Sequence, residues 1–213
     1  MRTIKIRVDG EEVCEPFELE AEGWTESDYF RLAPEDRPCE FVDGTVVMMS
    51  PVEDRHDDLT GFLLFLVRGF LRATRQGVVR GEPFTMRLRP GLNRQPDVFA
   101  VRTENSRKIQ RKYLDGPADL AIEVVSPTSR RRDLEEKPIE YARHGVGEYW
   151  AIDLHRREFH RFLPTRGRKY RVEILRKGRV EAAAFPGLYV DVEWLWQDPL
   201  PEEFALLRAM LGS

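Results

Sequence analysis

The chain is poor in the residue types that usually announce chemistry. Its 213 residues include two cysteines, Cys14 and Cys39, too few for a disulfide framework or a zinc set. A reducing cytoplasm is therefore the expected compartment. No apolar run approaches the roughly 20 residues that span a bilayer. The first residues, MRTIKIRVDGEEV, hold no apolar core of a secretory signal, so no membrane partner is expected. There is no internal repeat and no low-complexity stretch. Lysine is scarce, 6 against 28 arginines. A GC-rich genome or a hot habitat is a plainer reading of that bias than function, but the bias makes each lysine easier to notice.

What is present is charge, unevenly spread. The net charge of −3, taken whole, argues against a nucleic-acid binder. Residues 1–60 carry 6 basic and 17 acidic groups, net −11. Residues 61–180 carry 27 and 14, net +13, and residues 181–213 carry 1 and 6, net −5. An acidic start and an acidic tail flank a basic middle.

Ile4, Ile6 and Val8 alternate with polar residues and predict a strand, turned at Asp9-Gly10 into a second over 13–19. Thr25 and Asp28 have the spacing of a capping box before a short helix ending at Leu32. Pro34 and Pro38 bracket a loop, and residues 40–42 and 45–49 read as strands joined at Asp43-Gly44. Leu59, Phe62, Leu63, Leu66, Val67, Phe70 and Leu71 recur at spacings of three and four. They predict a helix over 54–74, with Gly77 as its stop. Residues 78–88 read as one extended segment and 90–93 as a turn. Residues 96–101, 120–125 and 149–154 are short apolar strands. Between them, 102–118 is a polar, basic loop or broken helix, and 133–144 is a helix ended at Gly145. Later strands at 159–163, 170–175 and 180–185 precede a helix over 200–211. A helix between two apolar strands favours an α/β or α+β domain with a mixed sheet.

Asp97 stands at the lip of one apolar strand and Glu123 inside the next. A carboxylate within an apolar strand is costly unless it is paired or binds a cation. Two acids on two strands can hold one hard divalent ion through oxygen. The plainer alternatives are a strand-start turn acid at Asp97 and an arginine ion pair at Glu123. Asp133, Lys137 and Tyr141 follow at i, i+4 and i+8 on one helix face. Lys137 either points at the acid pair, where its ammonium would orient a water and offset phosphate charge, or forms a solvated pair with Asp133. Pro138 is awkward inside that helix, since it removes a backbone donor.

In chain order stand Cys39-Glu40-Phe41-Val42-Asp43-Gly44, Met48-Met49-Ser50-Pro51 with His56, then Pro96-Asp97. Glu123-Val-Val-Ser126-Pro, Arg-Arg-Asp133-Leu-x-x-Lys137 and Tyr141-Ala-x-x-Gly145-Val-x-Glu148-Tyr149-Trp150 follow. Together they resemble the Uma-type family, widespread in bacteria, long a domain of unknown function. It is grouped with restriction-endonuclease-like nucleases of the PD…(D/E)xK type. The resemblance covers about residues 25–165. It implies a mixed sheet flanked by helices, with extra antiparallel strands, and acids on neighbouring central strands. The implied divisions are a hairpin extension over 1–24, a restriction-endonuclease-like domain over 25–199 and a C-terminal helix over 200–213. It also implies a metal-dependent phosphodiesterase site in which Asp97 and Glu123 hold Mg²⁺ or Mn²⁺. One departure is plain: the motif's lysine position, two residues after the second acid, is Val125. The matching lysine is Lys137 on the following helix, as in other members of this family. Glu40, His56 and Asp133 are the secondary candidates around this centre, and Glu82 reads as structural.

Two basic runs adjoin the carboxylate segments. Arg102, Arg107, Lys108, Arg111 and Lys112 lie in one loop, and Arg130, Arg131 and Arg132 precede Asp133. Such charge binds nucleic-acid backbones, though in so arginine-rich a chain it also describes a solvated surface. The leading expectation is a DNA endonuclease, and a homodimer by the resemblance. The second is a non-catalytic DNA-binding or assembly module on the same fold, with Trp194, Trp196 and Phe204 as oligomer contacts. A glycosidase with two carboxylates ranks lowest, because it leaves Lys137 unexplained.

Overall fold

The computed structural model describes residues 4–7, 18–33, 38–49 and 53–212. Six strands form one sheet in the order β13 (Lys169–Leu175), β12 (Glu158–Thr165), β11 (Tyr149–Asp153), β10 (Leu120–Val125), β8 (Val98–Arg102) and β5 (Gly77–Gly81). Seven form another: β1 (Ile4–Arg7), β2 (Glu18–Glu22), β4 (Thr45–Met49), β3 (Cys39–Val42), β7 (Leu92–Arg94), β6 (Thr85–Arg89) and β9 (Tyr113–Asp115). A small third sheet pairs β14 (Arg179–Glu181) with β15 (Tyr189–Asp191). The α-helices are α1 (Glu26–Leu32), α2 (Asp54–Thr74), α3 (Lys137–His144) and α4 (Glu203–Leu211). Each large sheet holds one parallel pair, β10 with β11 and β6 with β9. The class is the α+β expected, but the strands beyond the central sheet form a second large mixed sheet of their own.

The parallel pair dictates the rest. Parallel neighbours need a crossover, and here α3 supplies it. With helices and strands on both faces, β10 is buried throughout. Its side chains alternate. Leu120, Ile122 and Val124 join the core packed on α2, whereas Ala121 and Val125 join the core that includes Tyr141 of α3 and Met86 of β6. Period two therefore sends Glu123 to the α3 side. On the other side, the three-and-four stripe of α2 is wholly buried, and Leu207 of α4 packs over Gly69.

Several local expectations are corrected. The helix stop after Thr74 is Arg75, left-handed at φ 57°, whereas Gly77 already begins β5. Residues 78–88 are not one segment. The chain breaks at Glu82-Pro83 and passes from the six-stranded to the seven-stranded sheet. Residues 92 and 93 of the expected turn belong to strand β7, and 102–118 hold a 3₁₀ turn (Thr103–Lys108) and β9. The helix expected over 133–144 begins as a π-helical turn, Arg132–Glu136. Pro138 then falls in the first turn of α3, directly after the π-helical turn, and the Asp133 carbonyl five residues before it accepts from Tyr149 Oη at 2.8 Å instead. The Thr25–Asp28 capping box is present in full. At Asp43-Gly44 both residues have positive φ, 45° and 97°, as the tight hairpin between β3 and β4 demands. The expected turn at Asp9-Gly10 lies outside the described residues, as does Cys14. Trp194 and Trp196 pack partly buried on the α2-side core, and Phe204 is exposed. No helix among the described residues is long and apolar enough to cross a membrane.

Candidate active site

A cleft of about 270 Å³ opens where β8 begins and β10 ends. Antiparallel pairing of β8 with β10 sets Val98 opposite Ile122, so Asp97, one residue ahead of β8, falls beside Glu123. Asp97 Oδ2 accepts a hydrogen bond from the Val124 amide at 2.5 Å and lies 3.6 Å from His56 Nε2, near the start of α2. Glu123 Oε1 accepts from Lys137 Nζ at 2.7 Å and from Tyr141 Oη at 3.2 Å. The four-residue spacing of Lys137 and Tyr141 thus puts both on the acid of the strand that α3 crosses. Lys137 Nζ is also 2.9 Å from Asp133 and 3.4 Å from Glu40.

Glu40 anchors the back of this group. It is fully buried on β3, accepts from Arg94 Nη1 at 2.6 Å, and lies 3.8 Å from Arg132 Nε. Arg94 in turn donates to both oxygens of Glu140 on α3, at 2.9 and 2.8 Å. The seven-stranded sheet is thereby tied by charge to the helix that carries the lysine. Arg94 was not evident in the sequence, where one arginine among 28 carries no local mark.

Glu82 is the second residue that sequence reading missed. It faces the same cleft as Asp97 and Glu123, whereas its place in an extended run suggests only a structural role. Gly81 and Pro83 on either side were the available signal, since Gly and Pro inside an extended run mark a break.

The electrostatics separate two kinds of acid. At Glu40 burial favours the neutral form, but Lys137, Arg94 and Arg132 prevail and hold its carboxyl well below the usual range. At Glu82 burial and the nearby Asp97 push the carboxyl up to about 9. Burial likewise raises Asp97, against His56, the Val124 amide and Lys137, and raises Glu123 despite Lys137. Burial disfavours the Lys137 ammonium, but Asp133, Glu123 and Glu40 outweigh it and keep the amine protonated far above its ordinary range. The cleft therefore carries more carboxyl groups than its fixed cations neutralise.

Among the described residues no three His, Cys, Asp or Glu side chains converge into an ion cage. A magnesium-type ion needs none, because it keeps several waters and takes one or two carboxylates with substrate phosphate. The donors at hand, Asp97 and Glu123 with Glu82 nearby, are all oxygen, which suits a hard ion. Their raised proton affinity fits as well, since a cation there would replace the protons.

The basic residues divide. Arg132 lines the cleft. Arg130 is bound to buried Asp153 at 3.0 Å, and Arg131 lies 3.3 Å from Glu136. Arg107 and Lys108 lie beyond the far end of β8 from Asp97, about 17 Å along the strand. Lys112 donates to the Phe30 carbonyl at 3.1 Å and lines a second hollow that shares Glu82 and Gln95 with the cleft. Arg111, beside it, is exposed.

Residues 26–193 match the family model Uma2, whose description is "Putative restriction endonuclease". Among solved structures, the chain is similar to a "putative nuclease belonging to DUF820" from Anabaena variabilis ATCC 29413. The TM-score is 0.70 and the identity 13%, over 81% of this chain and 97% of that one, a likeness of fold. No curated protein matches.

Proposed function

The chain belongs to the Uma2 family, and on that premise we propose that it is a divalent-cation-dependent endonuclease cleaving DNA in the cytoplasm. The observation that carries this reading is the meeting of three elements at one point. β8 brings Asp97, β10 brings Glu123, and α3 brings Lys137 to within 2.7 Å of Glu123. Asp97 and Glu123 would hold Mg²⁺ or Mn²⁺, which when bound supplies Lewis-acid polarisation of the phosphate and an acidified water.

The chain's own residues do the remaining work. Lys137 holds a permanent positive charge at the cleft, aimed by Asp133 and Glu40, where it orients a water or offsets charge growing on the phosphate. Tyr141 fixes the rotamer of Glu123 through its hydroxyl. His56 faces Asp97 from α2 and sets the position of that carboxylate. Arg132 draws the phosphate backbone toward the cleft, and Arg107, Lys108, Arg111 and Lys112 extend the basic surface.

Plasmid nicking in Mg²⁺ or Mn²⁺ tests the reading. Wild type should nick, and Asp97→Ala and Lys137→Ala should not. Nicking unchanged in either variant removes that residue from the centre. One observation favours a second reading. Lys137 already contacts Glu123, Asp133 and Glu40 and so acts as a resident cation. A non-catalytic DNA-binding or assembly module would use the cluster that way, and would bind DNA in a salt-dependent manner without cleavage under any metal.

A further inference from the structure

Among the described residues, strand β13 is the outermost strand of the six-stranded sheet and no strand pairs with its free edge. Val172 is 51% exposed and Ile174 55%. An open edge with exposed β-branched residues is a template for another strand. Its sequence, Lys169-Tyr-Arg-Val-Glu-Ile-Leu175, has opposite charges placed symmetrically about Val172. Lay two copies antiparallel with Val172 opposite Val172. Arg171 of each then faces Glu173 of the other, twice, and Tyr170 faces Ile174.

We infer that β13 is a two-fold interface between two copies of this chain, joining their six-stranded sheets edge to edge. The charges select this register over its neighbours. A slip of two residues one way sets Arg171 on Arg171, and the other way Glu173 on Glu173. A slip of one residue sets the apolar side chains against the charged ones. Within each copy Arg171 already pairs with Glu173, and Arg161 Nη1 lies 3.6 Å from Glu173 on the same face. The interface extends these pairs into one alternating row. Such exposed charges set register more than strength. Strength comes from the opposite face, where Val172 and Ile174 stand beside Phe162 and His160 of β12, both largely buried. Two such apolar strips merge at the two-fold axis.

Seven paired residues bury less than a standard interface, so the dimer is weak and depends on concentration. β12 and β11 separate β13 from β10, roughly 14 Å across the sheet, so dimerisation leaves the acid cleft open. The inference is independent of the nuclease reading, and its test uses no activity.

Sedimentation equilibrium of the full chain over rising concentration provides the test. Wild type should pass from monomer to dimer. Arg171→Glu and Glu173→Arg should each weaken the dimer about 10-fold, and the double reversal should restore it to within about 3-fold. A covalent trap checks the axis independently of affinity. In a Cys14→Ser background, Val172→Cys should cross-link to its own copy on mild oxidation, since directly opposed residues lie about 4.5–5.5 Å apart. Lys169→Cys, which would face Leu175, should not. A chain monomeric at every concentration overturns the inference. So does a dimer unmoved by the single reversals or not restored by the double, or equal cross-linking at both positions.

Discussion

Asp97 Oδ2 accepts its 2.5 Å hydrogen bond from the Val124 amide, so the acid at the head of β8 is clamped by the strand that carries Glu123. The two carboxyls are thus held as one unit by sheet hydrogen bonding rather than by a flexible loop. An amide can accept the same bond without the charge. Asp97→Asn should therefore keep the fold, with a melting temperature at or above wild type, because a costly buried carboxyl is gone. It should lose nicking by at least about 100-fold. Asp97→Ala leaves the Val124 N–H unpaired and should cost about 1–3 kcal/mol besides. Thermal melts beside plasmid nicking check both variants. A well-folded Asp97→Asn protein with wild-type nicking would exclude Asp97 from the chemistry.

Lys137 is buried among Glu123, Asp133 and Glu40, and removing it strands Glu123 and Asp133, while Glu40 keeps Arg94. Lys137→Met should destabilise by about 3–5 kcal/mol, as breaking one side of a buried pair does. Adding Glu123→Gln should recover part of that loss, because one stranded charge is then gone. Urea unfolding of the two single variants and the double measures the coupling. Additive losses would mean that the 2.7 Å contact contributes no net stability.

The cleft acids give the metal-free protein an unusual pH dependence. Glu82 rises from its ordinary 4.5 to about 9 on folding, and Asp97 and Glu123 rise in the same direction. Between those limits the folded state binds more protons than the unfolded one, so stability falls as pH rises. The slope from Glu82 is at most about 1.4 kcal/mol per pH unit, the value of one proton. Glu40 works oppositely at the acid end, since its carboxyl is depressed. Its contribution is present above 4.5 and is lost as pH falls below that value. Mg²⁺ or Mn²⁺ should stabilise most at high pH and release protons on binding. Melts from pH 5 to 9 with and without the ion check this, with Glu82→Gln expected to flatten the metal-free slope. A metal-free stability that is level across the range would mean these acids are already ionised when folded.

Much of this site was legible, and the reason is local. Glu123 stood out because an acid within an apolar strand needs a partner, and Lys137 because i, i+4 spacing aligned it with Asp133 and Tyr141. Each signal lies within one element. Glu82 and Arg94 were illegible for the converse reason. Glu82 reaches the cleft only because the chain changes sheets at Pro83, and although Gly81 and Pro83 mark a break, nothing within residues 78–88 says that it falls beside Asp97. Arg94 acquires its role by bridging β3 to α3, across 54 and 46 residues of sequence. The second sheet escaped for the same reason. Its strands were mostly visible singly, but pairings such as β3 with β7 and β6 with β9 join segments far apart in the chain.

The basic residues yield the last prediction, because the structure separates them by partner and by place. Arg107, Lys108 and Arg111 make no ion pair among the described residues, so replacing all three with Gln should leave thermal stability unchanged. If the DNA backbone passes over that loop, each lost contact lowers the salt slope of binding by about 0.9. The triple variant should then lower it by roughly 2–3, with nicking at saturating DNA preserved. Arg132 differs, because it lines the cleft and lies 3.8 Å from Glu40. Arg132→Gln should lower the slope by about 1 and also slow nicking at saturation, since it disturbs the carboxylate that holds Lys137. Binding titrations across a range of salt, paired with single-turnover nicking, separate the two cases. A triple variant with a wild-type slope would put the loop off the DNA path, and DNA would then be drawn in chiefly by residues at the cleft itself.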